Sequence, residues 1–334
     1  MNPSGLGLSM SSPLPRLLVA LSPRDEVDAA LSQQLPTLPW SYASRSTPAD
    51  WPDVEALLVG SVERELGDFT AARTPKLAFV QGVYTGLDGF PFERFPPPIR
   101  VAGNVGAFAP FVAEHAVALA LAAARAIVPA QAKVRAGELR PPPEQRLLFR
   151  GTAVVLGFGE IGREVAIRLA GFGMRVVGLN RTGRMAPNCE AMYPADRLRE
   201  ALAEADLVVD VRPLTRATAG SIGAGELGAM RAEAIYVNVG RAGTVDPSAL
   251  YHHLVDRPGF RAALDVWWEE DYAAGRFALR FPFADLPNFV GTPHCAGLGP
   301  GSSAYVLRRA VANLARFFRG ESLLHVADRG DYLA

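Results

Sequence analysis

The sequence has few cysteines and few lysines. Its two cysteines, Cys189 and Cys295, are too few for a disulfide framework, so we expect a protein of the reducing cytoplasm. Only Lys76 and Lys133 among its 34 basic residues are lysines, and we interpret the excess of arginine as a bias of the genome rather than a functional signal.

The sequence also lacks an excess of charge and long apolar runs. Its 34 basic and 34 acidic residues give a formal net charge of zero, which does not indicate binding to nucleic acid or to an anionic membrane. No apolar run reaches the roughly 18 residues that a membrane helix needs. Residues 1–14 carry no basic segment typical of a signal peptide, and we expect a loose tail there. With 334 residues, 49% of them apolar, the sequence predicts a soluble globular protein of two domains.

Short apolar runs alternate with helical patterns in the first part of the chain. Strands are predicted at residues 16–21, 56–59, 76–80 and 99–102, with a helix at 24–35 and an irregular segment at 90–98. This alternation predicts a parallel α/β sheet. An apolar segment at 111–127 predicts one long buried helix that could also form an interface. The proline-rich residues 136–150 are predicted to be a linker.

A second α/β region begins at Thr152. Its six predicted strands are residues 152–156, 175–179, 207–211, 234–239, 262–266 and 289–291. Its predicted helices are residues 160–171, 194–205, 224–230 and 246–255. This pattern fits the two mononucleotide-binding halves of a Rossmann domain. A final helix at 302–318 is expected to return to the first domain. We therefore predict two Rossmann-like domains with parallel sheets: a dinucleotide-binding domain at 103–297, inserted into a flavodoxin-like substrate domain formed by 15–102 and 298–334.

A glycine motif lies between the first strand and the first helix of this second region. It reads Gly157-Phe158-Gly159-Glu160-Ile161-Gly162. Such a motif is weak evidence alone, but here it follows an apolar strand and opens an amphipathic helix. Gly157 would make the tight turn, Gly159 would admit a pyrophosphate, and Gly162 would let helix and strand pack closely. The free N–H groups of the helix start favour phosphate. The alternative is an ordinary glycine-rich turn.

The end of the second strand bears on the choice of cofactor. NAD-binding proteins usually place an acid there to bind the ribose 2′-hydroxyl, whereas this chain has Asn180-Arg181-Thr182. Asn180 removes a carboxylate that would repel a 2′-phosphate, Arg181 can bind that phosphate and Thr182 can donate its hydroxyl. We predict NADP(H) as the preferred cofactor, with NAD(H) as the alternative.

One of the five histidines stands out as a candidate acid/base group. His294 follows the last predicted strand of the second region, and ligands bind at the carboxyl ends of such strands. Arg241 and the acidic segment from Asp265 to Glu270 follow the two preceding strands. An arginine, an acid and a histidine are thus expected at one sheet edge. We interpret the other four histidines as packing or surface residues: His115, His252, His253 and His325.

These motifs together resemble the D-isomer-specific 2-hydroxyacid dehydrogenase family. The chain carries its segments in order: the loop Phe79–Asp88, the helix segment Val112–His115, Pro213-Leu214-Thr215 with Thr218, Asn238–Asp246, Leu264-Asp265-Val266 and Thr292-Pro293-His294. The resemblance implies that Arg241, Glu270 and His294 are catalytic. It implies a substrate-binding loop at Val83, Tyr84, Thr85 and Gly86. It also implies that the dinucleotide contacts Arg212, Pro213, Thr218, Val239 and Asp265, the last holding the nicotinamide carboxamide.

Some positions depart from the family pattern. Asp271 stands where proline is common, Ala242 where glycine is common, and Trp267 and Trp268 replace a phenylalanine and a polar residue. Pro293 precedes the histidine where formate dehydrogenases of the superfamily have glutamine, which argues against formate as the substrate.

The resemblance implies NADPH-dependent reduction of a small 2-oxo acid, such as glyoxylate or hydroxypyruvate, to the D-2-hydroxy acid. It also implies a homodimer and no metal. Two alternatives remain open: a non-catalytic protein that senses dinucleotides on the same fold, and a phosphite dehydrogenase.

Overall fold

The computed structural model describes residues 14–332 except 48, 50, 88, 142–144 and 272–273. These residues form two compact units. One contains the chain up to Ala107 together with the chain from Ser303 onward, and the other is Phe108–Ser302. The second unit thus interrupts the first in sequence. The boundaries predicted after residues 102 and 297 fall five residues before those of the units.

The first unit is built on a parallel sheet. Within the described residues its strands are β1 (Leu17–Ala20), β2 (Trp40–Tyr42), β3 (Ala56–Val59), β4 (Phe79–Gly82) and β5 (Arg100–Ala102), in the order β2-β1-β3-β4-β5. This is the strand order of flavodoxin-like sheets. Strand β2 was not predicted, because its short Trp40-Ser41-Tyr42 run is only partly buried at the sheet edge.

Helices cover both faces of this sheet. The helix α1 (Asp25–Gln34) packs on one face through Val27 and Leu31. The helix α9 (Ser302–Phe318) packs on the same face through Leu307, Val311 and Leu314. The other face is covered by the short helix α2 (Val62–Leu66) and a cluster of phenylalanines. The end of the chain therefore completes a core that its beginning starts.

The second unit contains a larger parallel sheet. Its described strands are β6 (Thr152–Leu156), β7 (Arg175–Asn180), β8 (Ala191–Pro194), β9 (Leu207–Asp210), β10 (Ile235–Asn238), β11 (Arg261–Leu264) and β14 (Phe289–Gly291). They lie in the order β14-β11-β10-β9-β6-β7-β8, which contains the Rossmann order with one added edge strand. The predicted sixth strand is therefore the seventh of this sheet.

Two features of this unit differ from the prediction. Strand β8 was missed because it is a half-buried edge strand ending in Pro194, where a helix start had been expected. The antiparallel strands β12 (Glu269–Asp271) and β13 (Arg276–Ala278) were also missed, because both are largely exposed and carry charged residues.

The long apolar helix is divided in two. The helix α3 (Ala109–Ala124) is followed by α4 (Ile127–Arg135), with Ala126 between them in the left-handed region at φ 51°. The prediction of a single helix over 111–127 is therefore wrong at its C-terminal end, because α3 ends at Ala124 and a second helix begins at Ile127. No single helix of the described residues is long and apolar enough to cross a membrane. Only α3 and α4 together reach that length and composition, across a bend of 59°. The remaining helices are α5 (Glu160–Gly171), α6 (Leu198–Ala203), α7 (Ala224–Ala229) and α8 (Pro247–Asp256).

Strand register places the motifs of this unit side by side. Leu156 pairs with Asp210, Asp210 with Asn238, Asn238 with Leu264, and Leu264 with Gly291. Because these are the last residues of parallel strands, the loops that follow them all leave from one edge of the sheet. Four segments therefore share that edge: the glycine turn after β6, the loop after β10 that carries Arg241 (the arginine loop), the acidic segment after β11 and the loop after β14 that carries His294 (the histidine loop).

Candidate active site

The glycine turn after β6 is tightly packed at two of its three glycines. Gly157 has a φ of +91°, and a Cβ atom there would lie 3.0 Å from Cγ of Arg212. A Cβ atom on Gly162 would lie only 2.1 Å from the carbonyl oxygen of Gly157. On Gly159, at the start of α5, it would meet no described atom within 4 Å. The turn is thus closed at its base and open at the helix N-terminus.

The three residues between these glycines are held by the protein itself. Phe158 is buried, and its ring lies 2.6 Å from where a Cβ atom on Gly178 would be. Ile161 packs against the core beneath the sheet, and the exposed Glu160 pairs with Arg163 at 3.3 Å. Phe158 and Ile161 therefore anchor this turn in the core, and a ligand at its open side would meet main-chain N–H groups.

Asn180 organises the loop that follows β7. Its Oδ1 accepts the N–H groups of Thr182 at 3.0 Å and Gly183 at 2.7 Å, and its Nδ2 donates to the carbonyl of Arg184 at 2.8 Å. The side chains of Arg181 and Thr182 are exposed. The loop therefore has a fixed backbone, carries no acid at residues 180–184 and presents an arginine.

His294 forms a close pair with Glu270. Its Nδ1 lies 2.7 Å from Oε1 of Glu270, and the same oxygen accepts the N–H of Trp267 at 2.9 Å. The side chains of His294 and Glu270 are 28% and 17% exposed, so the pair is shielded but reachable. His294 has a φ of 52°, which turns the chain sharply after β14. The carboxylate orients the imidazole and leaves Nε2 as the ring nitrogen that faces away from Glu270.

Arg241 lies at the edge shared with this pair, in the loop after β10. Its side chain is half-buried, and its Nη1 donates to the carbonyl of Gly240 at 2.9 Å. A cation, a histidine and a carboxylate thus follow strands of the same sheet edge. The sequence predicted their placement after these strands, but it did not predict the short strand β12 that carries Glu270.

Asp265 is a deeply buried acid of this edge, with 1% exposure. Its oxygens accept the Thr292 hydroxyl at 2.6 Å and the N–H groups of Cys295 and Ala296, both at 2.9 Å. Burial opposes ionisation of this carboxyl, but these hydrogen bonds and one from His115 lower its pKa below the ordinary value. Asp265 is therefore a fixed, charged acceptor.

His115 takes part in this arrangement, although we had interpreted it as a packing residue. Its Nε2 lies 2.9 Å from the Thr292 hydroxyl and 3.4 Å from Asp265. Position on an apolar helix gave no signal of this contact. The thiol of Cys295 lies in the same group, and burial together with Asp265 raises its pKa, which disfavours the thiolate that a metal would need.

The remaining predicted cofactor residues make internal contacts. The guanidinium of Arg212 is buried and forms a two-point ion pair with Asp210, with Nη2 to Oδ2 at 2.6 Å. Thr218 donates its hydroxyl to the carbonyl of Pro213 at 2.6 Å, which closes that loop. Val239 is buried, with its N–H on the Asp210 carbonyl at 3.2 Å. The charge of Arg212 is thus paired with Asp210 inside the protein.

The predicted substrate loop lies in the first unit, after β4. The N–H of Val83 already donates to the carbonyl of Val59 at 2.9 Å, which continues the sheet. The Thr85 hydroxyl donates to the carbonyl of Asn104 at 3.3 Å, and the Tyr84 side chain is 52% exposed. Any anion bound here would therefore use the N–H groups after Val83.

The sequence is similar to a known family of dehydrogenases. The family model described as "D-isomer specific 2-hydroxyacid dehydrogenase, NAD binding domain" matches residues 117–296. The glyoxylate reductase of Pyrococcus furiosus is 33% identical over 283 residues, which are 80% of this chain and 81% of that protein. The hydroxypyruvate reductase of Thermotoga maritima is 31% identical over 246 residues, which are 73% of this chain and 78% of that protein.

A solved structure shares the fold. The NADPH-dependent glyoxylate/hydroxypyruvate reductase of Sinorhizobium meliloti, in complex with NADP and sulfate, is 23% identical, and the match covers 96% of this chain and all of that one at a TM-score of 0.78. The family expected from the motifs is confirmed by the matching model and by the two relatives. The chain belongs to the D-isomer specific 2-hydroxyacid dehydrogenase family and is an NAD(P)-dependent dehydrogenase.

Proposed function

We propose that the protein reduces a small 2-oxo acid, such as glyoxylate or hydroxypyruvate, to its D-2-hydroxy acid with NADPH. The observation that carries this proposal is the 2.7 Å pair of His294 and Glu270 on the sheet edge that also bears Arg241. The names of the two reductase relatives support the substrate class.

The glycine turn fits the pyrophosphate of a dinucleotide. The open space beside Gly159 lies at the N-terminus of α5, where main-chain N–H groups favour phosphate oxygens. The residues proposed to hold the dinucleotide are this turn, Asn180, Arg181, Thr182 and Asp265, together with the loops at Pro213, Thr218 and Val239. The bound dinucleotide would supply the hydride.

The residues of the edge then have distinct roles. Arg241 binds the substrate carboxylate and polarises the ketone, since its guanidinium stays charged and can make two parallel hydrogen bonds. His294 gives the proton on Nε2 to the oxygen of the carbonyl as negative charge develops there. Glu270 pairs with Nδ1 and orients the ring. In the first unit, the N–H groups of Tyr84, Thr85 and Gly86 are proposed as a substrate-binding element in their own right.

Replacement of the acid/base residue tests the chemistry. We expect His294→Ala to lower kcat for glyoxylate reduction by about 10²-fold or more, because general acid catalysis contributes 10²–10⁴-fold. The measurement is the rate of NADPH oxidation, followed by the absorbance of reduced nicotinamide, over a panel of 2-oxo acids. Near-normal turnover of the variant would refute the role of His294, and no oxidation with any 2-oxo acid would favour a dinucleotide sensor.

The preference for NADPH rests on the loop after β7. Its backbone is fixed by Asn180, it has no acid, and Arg181 is exposed on it. The related fold of the Sinorhizobium meliloti reductase, which was solved with NADP, supports the same choice. We expect Arg181→Ala to raise the KM for NADPH and leave that for NADH unchanged. A wild-type protein that prefers NADH would contradict the proposal.

We further propose a homodimer formed through the dinucleotide-binding unit. Several large apolar side chains of this unit are exposed on and near α4: Ile127 at 53%, Val128 at 54%, Val134 at 70%, Leu147 at 72% and Phe149 at 60%. Such a set on one unit is typical of an interface. Light scattering should give twice the monomer mass, and Val134→Glu with Phe149→Glu should lower it. A monomeric wild-type protein would contradict this.

A further inference from the structure

The ends of β9 and β10 carry a buried polar group, here called the Asp210 cluster. Asp210, Tyr236, Asn238 and Thr244 are fully buried, and Arg212 is 7% exposed. Buried charged groups and hydroxyls are unfavourable unless they are paired, so each member of this cluster is expected to have a hydrogen-bond partner.

Asp210 is the centre of the cluster. Its Oδ1 accepts from the backbone N–H of Arg212 at 3.1 Å and from Nε at 2.9 Å. Its Oδ2 accepts from Nη2 of Arg212 at 2.6 Å, from the Tyr236 hydroxyl at 3.2 Å and from the Thr244 hydroxyl at 3.1 Å. Burial opposes the charge on Arg212, but the Asp210 carboxylate raises its pKa overall. Burial, and then Asp210, raises the pKa of Tyr236, so its hydroxyl stays a donor.

The other side of the cluster holds the backbone of the arginine loop. The Thr244 hydroxyl lies 2.9 Å from the carbonyl oxygen of Arg241, and Nδ2 of Asn238 donates to the same oxygen at 3.1 Å. Oδ1 of Asn238 accepts the N–H of Gly240 at 3.0 Å. The main chain on both sides of the Arg241 Cα is therefore attached to the cluster.

The stem of Arg212 meets the glycine turn. A Cβ atom on Gly157 would lie 3.0 Å from Cγ and 3.3 Å from Cα of Arg212. A Cβ atom on Gly240 would lie 2.6 Å from the Arg212 carbonyl oxygen. Arg212 thus touches the dinucleotide turn with its stem, the arginine loop with its backbone and Asp210 with its charge.

We propose that Asp210 and Arg212 are positioning residues. They fix the arginine loop relative to the glycine turn, so that the substrate-binding guanidinium of Arg241 is held in one position. This inference rests on the proposed role of Arg241. An apolar pair would also fill the space, but it would take the Asp210 acceptor from the Tyr236 hydroxyl and leave the Thr244 hydroxyl only the Arg241 carbonyl. Since catalysis requires the reacting groups in a narrow geometry, loss of this acceptor should lower the rate without unfolding the protein.

The main test removes both charges together, so that neither is left buried alone. The double variant Asp210→Leu with Arg212→Met keeps the Arg212 stem as far as Cγ. We expect the double variant to fold with a lower melting temperature, because the buried Tyr236 and Thr244 hydroxyls lose the Asp210 acceptor. Its Kd for NADPH should match that of the wild type, while kcat/KM for glyoxylate falls by about 10 to 10²-fold, with a fall in kcat and a rise in KM for glyoxylate. The control is Arg231→Met, which breaks the ion pair with Asp206 at the opposite end of β9 and should change none of these values.

A second pair keeps the proposal testable if the double variant does not fold. Thr244→Val removes, at nearly constant shape, the hydroxyl whose one proton is shared between the Asp210 carboxylate and the Arg241 carbonyl, and Thr244→Ser restores it. We expect Val to lower kcat/KM for glyoxylate and Ser to recover most of it. A Val variant as active as the Ser variant would overturn the proposal.

Two further results of the double variant would overturn the proposal. One is unchanged kinetics. The other is a weaker Kd for NADPH with an unchanged kcat, which would show that the Arg212 guanidinium serves the cofactor instead. Arg241→Lys is measured alongside: if it leaves kcat/KM for glyoxylate intact, the proposed function itself fails, whereas a loss there with an unaffected double variant rejects only the positioning role.

Discussion

At the scale of single residues, two substitutions in the glycine turn are expected to differ in their effect on stability. Gly162→Ala would place a Cβ atom 2.1 Å from the Gly157 carbonyl oxygen, so α5 must move away from β6. We expect a loss of unfolding free energy of about 1–3 kcal/mol, as for other overpacked sites, measured by urea denaturation. A variant as stable as the wild type would contradict the packing role of Gly162.

Gly159→Ala is the matched variant. Its Cβ atom meets no described atom within 4 Å and its φ of −79° suits alanine, so stability should be unchanged. Its Kd for NADPH should rise, because the new methyl group occupies space where the pyrophosphate is proposed to approach. Unchanged affinity in a stable protein would place the pyrophosphate elsewhere.

Glu270 can be tested apart from its partner. Glu270→Gln keeps an oxygen for the Trp267 N–H but removes the carboxylate charge beside His294. We expect kcat for glyoxylate to fall by about 10-fold, which is part of the 10²–10⁴-fold that general acid catalysis contributes. The Kd for NADPH should not change, and a fall in that affinity alone would argue for a structural role.

The sequence predicted the placement of these side chains better than their contacts. Strand ends with Arg241, Asp265 and His294 had to meet at one edge, since parallel strands place their carboxyl ends together. The contact between His115 and Thr292 joins residues 177 apart in sequence, and the charge of Arg212 turns inward to Asp210. Neither contact has a local pattern, because side-chain direction depends on the tertiary packing.

At the scale of elements, one buried arginine helps to cap the C-terminus of α3, together with backbone N–H groups. Nη1 of Arg261, in β11, donates to the carbonyls of Ala123 at 2.6 Å and Ala124 at 3.1 Å. Arg261→Met leaves both carbonyls without this donor, and we expect a loss of about 1.5–3 kcal/mol in unfolding free energy. The exposed Arg257→Met serves as the control, and equal stability of the two variants would contradict the capping role.

The hairpin of β12 and β13 carries the partner of the acid/base residue. Phe277, opposite Glu270 in the register, stacks on Trp267 with ring centroids 4.6 Å apart and planes within 8°. We expect Phe277→Ala to lower stability by only about 0.5–1.5 kcal/mol but to lower kcat, because Glu270 would hold His294 less firmly. Phe277→Tyr should keep the stack and the rate, and a full rate in the alanine variant would remove the hairpin from the mechanism.

Elements with strong periodicity were predicted well, and marginal ones were not. Helices α5 and α9 begin and end at the predicted residues, since each has a clear apolar stripe. Strands β2, β8, β12 and β13 have three or four residues with little burial, and tertiary pairing rather than local sequence makes them strands. The break at Ala126 was likewise invisible in an unbroken apolar run.

At the scale of the whole molecule, stability should decline in acid. Hydrogen bonds from Tyr193 and Arg175 lower the pKa of Glu204 in the folded protein. A carboxyl with a lowered folded pKa contributes stability above its unfolded pKa of about 4.3 and loses it as the pH falls through the folded value. Urea denaturation between about pH 6 and 3 should show less acid sensitivity in Glu204→Gln than in the wild type or in the exposed control Glu233→Gln. Identical curves would contradict this.

The order of the chain has a consequence for its synthesis. Leu17 and Val19 at one end share a core with Leu307 and Leu314 near the other, and the residues between 107 and 303 form a separate unit. At about 5–20 residues per second, a ribosome needs roughly 10–40 seconds to make that intervening segment. During this time only α1 covers the sheet face that α9 later completes, so a chain that ends just after residue 302 would carry a finished second unit and a first unit with an incomplete core, which we expect to aggregate.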